Sequence, residues 1–220
     1  MNQIKIGNKV ISDESNCYLI AEIGINHNGD LDNVIKLIDN SKKSGFDCVK
    51  FQKRTPELST PNSQKDVMRE TPWGVMTYLD YKKRIELDKE AYSAIDLHCK
   101  NIGIDWTASC WDLPSVEFIE NYKVPFIKIA SASLTDKELI YKIKDTNKPV
   151  ILSTGMSTMN EIKKAVDLLK DSKLILLHTT SSYPCPPEEL NLNMIKTLRA
   201  EFPKLIIGYS GHEVGLAISY

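Results

Sequence analysis

Two lysines stand where an ammonium is costly. Lys50 and Lys128 interrupt the apolar runs DCVKF (47–51) and FIKIA (126–130), and a charge inside such a strand needs an anion or a dense set of hydrogen bonds to meet it. Hydroxyls at Ser109, Ser131 and Ser210 follow similar apolar runs. Lysines flanked by hydroxyls make a sensible cradle for a phosphate and a carboxylate on one small molecule. Three other uses of the lysines stay open: an ion pair with Glu22, an outward reach by Lys50, or Schiff-base chemistry on a carbonyl substrate.

Histidines are scarce, four in all, and His27, His178 and His212 close apolar runs. His212 follows the glycine-flanked stretch Gly208-Tyr209-Ser210-Gly211, where the backbone can approach a ligand closely; a neutral imidazole there suits a divalent metal or a proton relay. One histidine is not a metal site. His178 could equally finish a buried strand, and His98 falls within a helix. Glu22, Gln52 and Tyr183 offer hydrogen bonds to a polyhydroxylated or amide-bearing molecule, with Pro184 fixing the tyrosine's rim position. STGMST (153–158) precedes a helix start, where N–H groups favour an anion, yet lacks a nucleotide loop's spacing.

These residues need a scaffold that brings distant strand ends together. Apolar runs at 17–23, 47–51, 104–108, 126–130, 149–153, 174–178 and 204–208 alternate with segments of helical period at 31–44, 88–100, 114–121, 136–144, 158–170 and 191–201, the pattern of a parallel sheet covered by helices. Starts at 104, 126, 149, 174 and 204 lie 22, 23, 25 and 30 residues apart, close to the minimum for a strand–helix unit. With no Gly-rich dinucleotide turn after the first run, this cadence predicts an α/β fold of the TIM (β/α)8 barrel type, incomplete here: about seven units, the chain stopping in VGLAIS before an eighth strand. Residues 1–16, with a Gly-Asn turn inside IKIGNKVI, predict a hairpin plugging one barrel mouth, and 17–220 the catalytic barrel. Lys53 to about Arg84 breaks the rhythm with Pro56, Pro61 and Pro72, a long insertion that reads either as a substrate-covering loop or as an ordered surface excursion.

Composition removes other classes. Among 220 residues, 28 Lys and Arg balance 29 Asp and Glu, and 42% are hydrophobic, which suits a globular core and argues against a nucleic-acid partner. The pairs at 42–43 and 82–83 read as solvated helix surface. No apolar run of about 18 residues and no secretory leader is visible, so no membrane partner and a cytoplasmic address are expected. The five cysteines lack zinc or CxxC spacing and read as reduced thiols.

The stretches IAEIGINHNGD (20–30), GFDCVKFQKR (45–54), VPFIKIAS (124–131), KPVILSTGMST (148–158), TTSSYP (179–184) and IIGYSGHEVG (206–215) strongly resemble the N-acylneuraminate (sialic acid) synthase family, including legionaminate and pseudaminate synthases. The resemblance implies metal-dependent condensation of phosphoenolpyruvate with an open-chain N-acylated amino sugar such as N-acetylmannosamine, giving a nonulosonic acid and phosphate. It implies that Lys50, Ser109, Lys128, Ser131, Ser181, Ser210 and His212 hold phosphoenolpyruvate. His212 also ligates manganese or magnesium, Glu22, Gln52 and Tyr183 meet the sugar, and Glu22 moves the proton. A further implication is a C-terminal antifreeze-like domain beyond Tyr220 and a homodimer of the full-length protein. Two departures stand out: ASCW at 108–111 where many members read STPF, and Ser133 in place of a common carboxylate. A Schiff-base aldolase or a sugar-phosphate-binding barrel without turnover are the alternatives.

Overall fold

A computed structural model describes residues 2–218. Its strands are β1 (Gln3–Ile6), β2 (Lys9–Ser12), β3 (Ile20–Gly24), β4 (Cys48–Lys53), β5 (Met68–Thr71), β6 (Gly74–Thr77), β7 (Asp105–Cys110), β8 (Ile127–Ile129), β9 (Val150–Ser153), β10 (Leu174–His178) and β11 (Ile206–Tyr209). The helices are α1 (Leu31–Lys43), α2 (Pro56–Ser59), α3 (Asn62–Lys65), α4 (Tyr78–Ile85), α5 (Lys89–Ile102), α6 (Leu113–Glu120), α7 (Lys137–Asp145), α8 (Met159–Leu168) and α9 (Met194–Glu201). All seven apolar runs expected to be the main strands are strands, with ends moved by up to three residues. The chain divides into two compact units, Tyr18–Val124 and the segment up to Cys17 together with the chain from Pro125 onward. Ser219, the last residue of VGLAIS, lies outside the described residues.

In the Tyr18–Val124 unit, β3, β4 and β7 run parallel with β4 in the middle. Glu22, Lys50 and Thr107 lie abreast, as do Gln52 and Ser109. Strand alternation puts Phe51 and Trp106 on the opposite face from this row, where they meet Tyr92 at ring separations of 6.3 and 5.7 Å, and Tyr92 meets Phe118 at 5.2 Å. The aromatic layer under α5 and α6 thus forces the polar row to the other side. Helix starts follow from local chemistry: the carboxylate of Asp30 accepts from the N–H groups of Asp32 and Asn33, and those of Asp88 and Asp112 cap α5 and α6 in the same way. Gly103 ends α5 in the left-handed region. Leu31 and Leu97 are exposed, while Tyr92 and Cys99 fill the buried side of α5.

The segment expected to break the rhythm is ordered. It holds α2, α3, the antiparallel hairpin β5–β6 and α4. Tyr78 and Tyr81 stack at 6.3 Å, Arg69 lies over Tyr78 at 3.9 Å and Arg84 over Trp73 at 4.5 Å. Lys82, expected to be solvated, lies half-buried 4.9 Å from the Tyr78 ring. Gly29, with φ +73°, sits so close to the Arg84 carbonyl that no Cβ fits between them.

The other unit carries β8, β9, β10 and β11 in that parallel order, each beside its neighbour in sequence. β1 and β2 form the expected hairpin, with Gly7 at φ +55° in its turn. Asp136 caps α7, and Thr158 with Glu161 forms a reciprocal capping box on α8.

Candidate active site

Lys50 is 3% exposed and does not reach outward. Its Nζ donates to Ser109 Oγ at 2.7 Å and to the Phe51 carbonyl at 3.1 Å, and lies 3.1 Å from Glu22 Oε2. The Glu22 side chain is 50% exposed, so one carboxylate oxygen serves the buried ammonium while the group stays in exchange with water. The expected Glu22 pairing and the Lys50–Ser109 cluster therefore occur together. Gln52, abreast of Ser109, accepts through Oε1 from Arg54 Nη2.

Around Gln52 lies a second polar cluster. Lys53 Nζ is 2.6 Å from Glu86 Oε1, both nearly buried, and 4.7 Å from the Phe118 ring. Burial pushes the Glu86 carboxyl up, against the opposing pull of Lys53 and Arg54. Asp112 accepts from the Thr55 N–H at 2.6 Å and hydroxyl at 3.0 Å, and from the Ser115 N–H at 2.9 Å and hydroxyl at 2.6 Å, a structural commitment. His27 is also structural. Its Nδ1 accepts from the Gly29 N–H at 2.9 Å, and burial lowers its pKa to about 4, so the imidazole is neutral near pH 7.

In the other unit Lys128, 5% exposed, donates to Ser153 Oγ at 2.7 Å. Ser131 Oγ accepts from the Gly155 N–H at 3.0 Å. A Cβ at Gly155 would run into Ser181 Oγ and come within 2.9 Å of Ser131 Oγ and 3.2 Å of the Thr179 carbonyl. Glycine here lets two hydroxyls and a backbone N–H converge. Ser181 Oγ and Thr179 Oγ1 are buried with no hydrogen-bond partner, which marks a place for a ligand or water. The N-terminus of α8, expected to favour an anion, is instead closed by its own capping box, with Glu161 Oε2 2.7 Å from the Thr158 N–H.

His212 Nδ1 lies 2.8 Å from the Thr180 carbonyl, which places the proton on Nδ1 and leaves the Nε2 lone pair for a metal or proton. This imidazole fits a divalent ion as one ligand, although no group of three or more His, Cys, Asp or Glu suited to a metal gathers among the described residues. Exposed Tyr183 lies beside it, ring centroids 4.4 Å apart, before a cis Pro184. The Ser210 N–H donates to the His178 carbonyl at 2.9 Å. His178 is buried with Nε2 2.8 Å from the Leu190 carbonyl, the structural alternative. His98 pairs with Asp39 at 2.7 Å between α5 and α1. Sequence reasoning missed Ser153 and Arg54. The signal for Ser153 was its alternation onto the Lys128 face, and for Arg54 a third cation closing VKFQKR.

Parallel strands followed by helices, with ligand-seeking groups at the strands' C-terminal ends, define an α/β enzyme architecture of the TIM-barrel class. A family model described as NeuB family matches residues 37–220, and the chain belongs to that family. It is 40% identical over 207 residues to an N-acetylneuraminate-9-phosphate synthase of Drosophila melanogaster, covering 92% of this chain and 55% of that protein. An N,N'-diacetyllegionaminic acid synthase of Campylobacter jejuni is 37% identical, covering 91% of this chain and 62% of its own length. A crystal structure of an N-acetylneuraminic acid (sialic acid) synthetase from Leptospira borgpetersenii, in complex with citrate, matches with a TM-score of 0.90 at 29% identity. It covers 99% of this chain and 72% of that one. The fold class read from the strand cadence is borne out, and the chain spans a little over half the length of these two curated relatives.

Proposed function

We propose that the protein condenses phosphoenolpyruvate with an open-chain N-acylated amino sugar, giving a nonulosonic acid and inorganic phosphate. The observation that carries this reading is a device present in both units: a buried strand lysine 2.7 Å from a serine hydroxyl, Lys50 with Ser109 and Lys128 with Ser153. Relatives that synthesise sialic and legionaminic acids support it. A small dianion needs cations and hydrogen-bond donors fixed before it arrives, because preorganised donors cost no reorganisation during reaction.

In this reading C3 of the enol attacks the aldehyde carbon, whose oxygen takes up a proton. Water adds at C2, and phosphate leaves as its C–O bond to C2 breaks. Lys50 and Ser109 hold one anionic end of phosphoenolpyruvate. By the family resemblance Lys128, Ser131, Ser181 and Ser210 are also phosphoenolpyruvate ligands, and Gly155 leaves room for the hydroxyls of Ser131 and Ser181. Gln52 and Tyr183 position the sugar. Half-exposed Glu22 moves the proton while Lys50 steadies its carboxylate. His212 Nε2 would hold manganese or magnesium, which supplies Lewis-acid polarisation of the aldehyde. The full-length protein is proposed to be a cytoplasmic homodimer; no helix among the described residues is long and apolar enough to cross a membrane.

The test is phosphate release from the full-length protein with phosphoenolpyruvate, a divalent metal and an N-acylated hexosamine, each omitted in turn. Release should need all three. No release across N-acetylmannosamine, its 6-phosphate and di-N-acetyl sugars sinks the reading, and a borohydride-trapped adduct on Lys50 or Lys128 replaces it with a Schiff-base aldolase.

A further inference from the structure

Four consecutive residues at the end of β10, His178 to Ser181, divide their polar groups by side. His178 Nε2 lies 2.8 Å from the Leu190 carbonyl, and the Thr180 hydroxyl donates to the carbonyls of Glu189 and Leu190, both at 3.2 Å. These two serve the fold. Thr179 Oγ1 and Ser181 Oγ, which alternate with them, are buried with no hydrogen-bond partner, and such groups call for an explanation.

Strand alternation sets the side on which Thr179 lies. Leu177 stands beside Ser153 in the register of β9 and β10, and Ser153 Oγ accepts from Lys128 Nζ, so Leu177 and, two residues on, Thr179 belong to the lysine's face of the sheet. The register persists past the strand ends, because the Thr154 N–H donates to the Leu177 carbonyl at 3.0 Å and the Ser210 N–H to the His178 carbonyl at 2.9 Å. Ser181 comes to the same place: its hydroxyl, that of Ser131 and the Thr179 carbonyl crowd the spot where a Gly155 Cβ would stand.

Stability alone gives no reason for threonine here. Thr179 is 6% exposed, valine has nearly its shape, and a buried hydroxyl without a partner costs the fold its desolvation. The partner must then come from outside the chain. A hydroxyl can donate, and a donor on the face of a buried ammonium favours an anionic oxygen. Hydroxyls arriving from the ends of β8 and β10 suit the several directions of a tetrahedral phosphate better than the single plane of a carboxylate.

We propose that Thr179 is a further phosphate-binding residue for phosphoenolpyruvate, its hydroxyl withheld from internal partners for that purpose, so that the ligand-free fold is less stable than Thr179→Val would make it. This rests on the synthase reading and extends its phosphate site.

The test titrates phosphoenolpyruvate calorimetrically into the full-length protein and two variants, with inorganic phosphate as a competitor and melting curves of each ligand-free protein. Thr179→Val should weaken phosphoenolpyruvate about tenfold or more, and inorganic phosphate in parallel, while its melting temperature stays level or rises. Thr179→Ser, which keeps the hydroxyl, should bind within about threefold of the unaltered protein. A hydroxyl that served the fold would do the reverse, with affinity kept and melting temperature lowered. Unchanged affinity in Thr179→Val, a lowered melting temperature in that variant, inorganic phosphate binding that is spared, or Thr179→Ser as weak as Thr179→Val each overturns the assignment and leaves the synthase reading standing. Failure of the unaltered protein to bind phosphoenolpyruvate overturns both.

Discussion

The two units share the lysine–serine device but finish their polar ends differently. Around β4, charges close on one another: Lys50 on Glu22 and Lys53 on Glu86, with the N–H donors of Arg54 and Trp111 left over. After β9 and β10 the leftover groups are hydroxyls, Ser181 and Thr179, and the device that gathers hydroxyls there is the missing side chain of Gly155. Charge placement governs the first arrangement and free volume the second, so they should fail under different perturbations.

The sharpest contrast comes from volume. Gly155→Ala pushes a methyl group into Ser181 and Ser131, and overpacking of this kind should weaken phosphoenolpyruvate binding by about 10- to 100-fold in a calorimetric titration. Unchanged affinity would remove the distinction between the units. The next effect belongs to the Tyr18–Val124 unit and is read by pH. The folded-state pKa of His27 is about 4 against an ordinary 6.5, so the unfolded chain binds a proton as pH falls below 6.5 while the folded chain does not until about 4. The contribution is full above pH 6.5 and lost progressively toward pH 4, up to about 3 kcal/mol. Urea unfolding at several pH values should show this slope, reduced in His27→Gln.

Helix caps give a smaller comparison. Asp112 receives four hydrogen bonds and ties Thr55 to α6, whereas the Asp136 carboxylate caps α7 through the Leu139 N–H. Asp112→Ala should cost about 2 kcal/mol and Asp136→Ala about 1 kcal/mol in chemical denaturation. Equal losses would mean that the Thr55 tie contributes nothing. Smallest of all, Asp39→Asn breaks the pair with His98 on the partly exposed surfaces of α1 and α5 and should change stability by less than about 0.5 kcal/mol.

The strands and most helix ends were legible because burial repeats with a fixed period and caps are local chemistry. The helical segments expected at 31–44 and 88–100 begin and end within two residues of α1 and α5. The hairpin β5–β6 was not legible: Met68 and Val75 are exposed at 59% and 66%, so no buried face imposes alternation. Lys50 and Ser109 could be placed together because parallel strands bring their ends into register. Arg54 could not, since its environment is made by Trp111, Glu86 and Lys82, which come from the turn after β7 and from α4 with its C-cap, both distant in sequence. Ser153 was hidden by the glycine motif that begins with it.

The close approach of Gly29 to the Arg84 carbonyl determines where this part of the chain can be cut or lengthened. The backbone after β3 is wedged against the last turn of α4, so the excursion is pinned at its root. Proteases and peptide insertions should therefore find their tolerated positions near the 71–74 bend, while a bulky residue at 29 would prise the root apart and loosen everything hung from it.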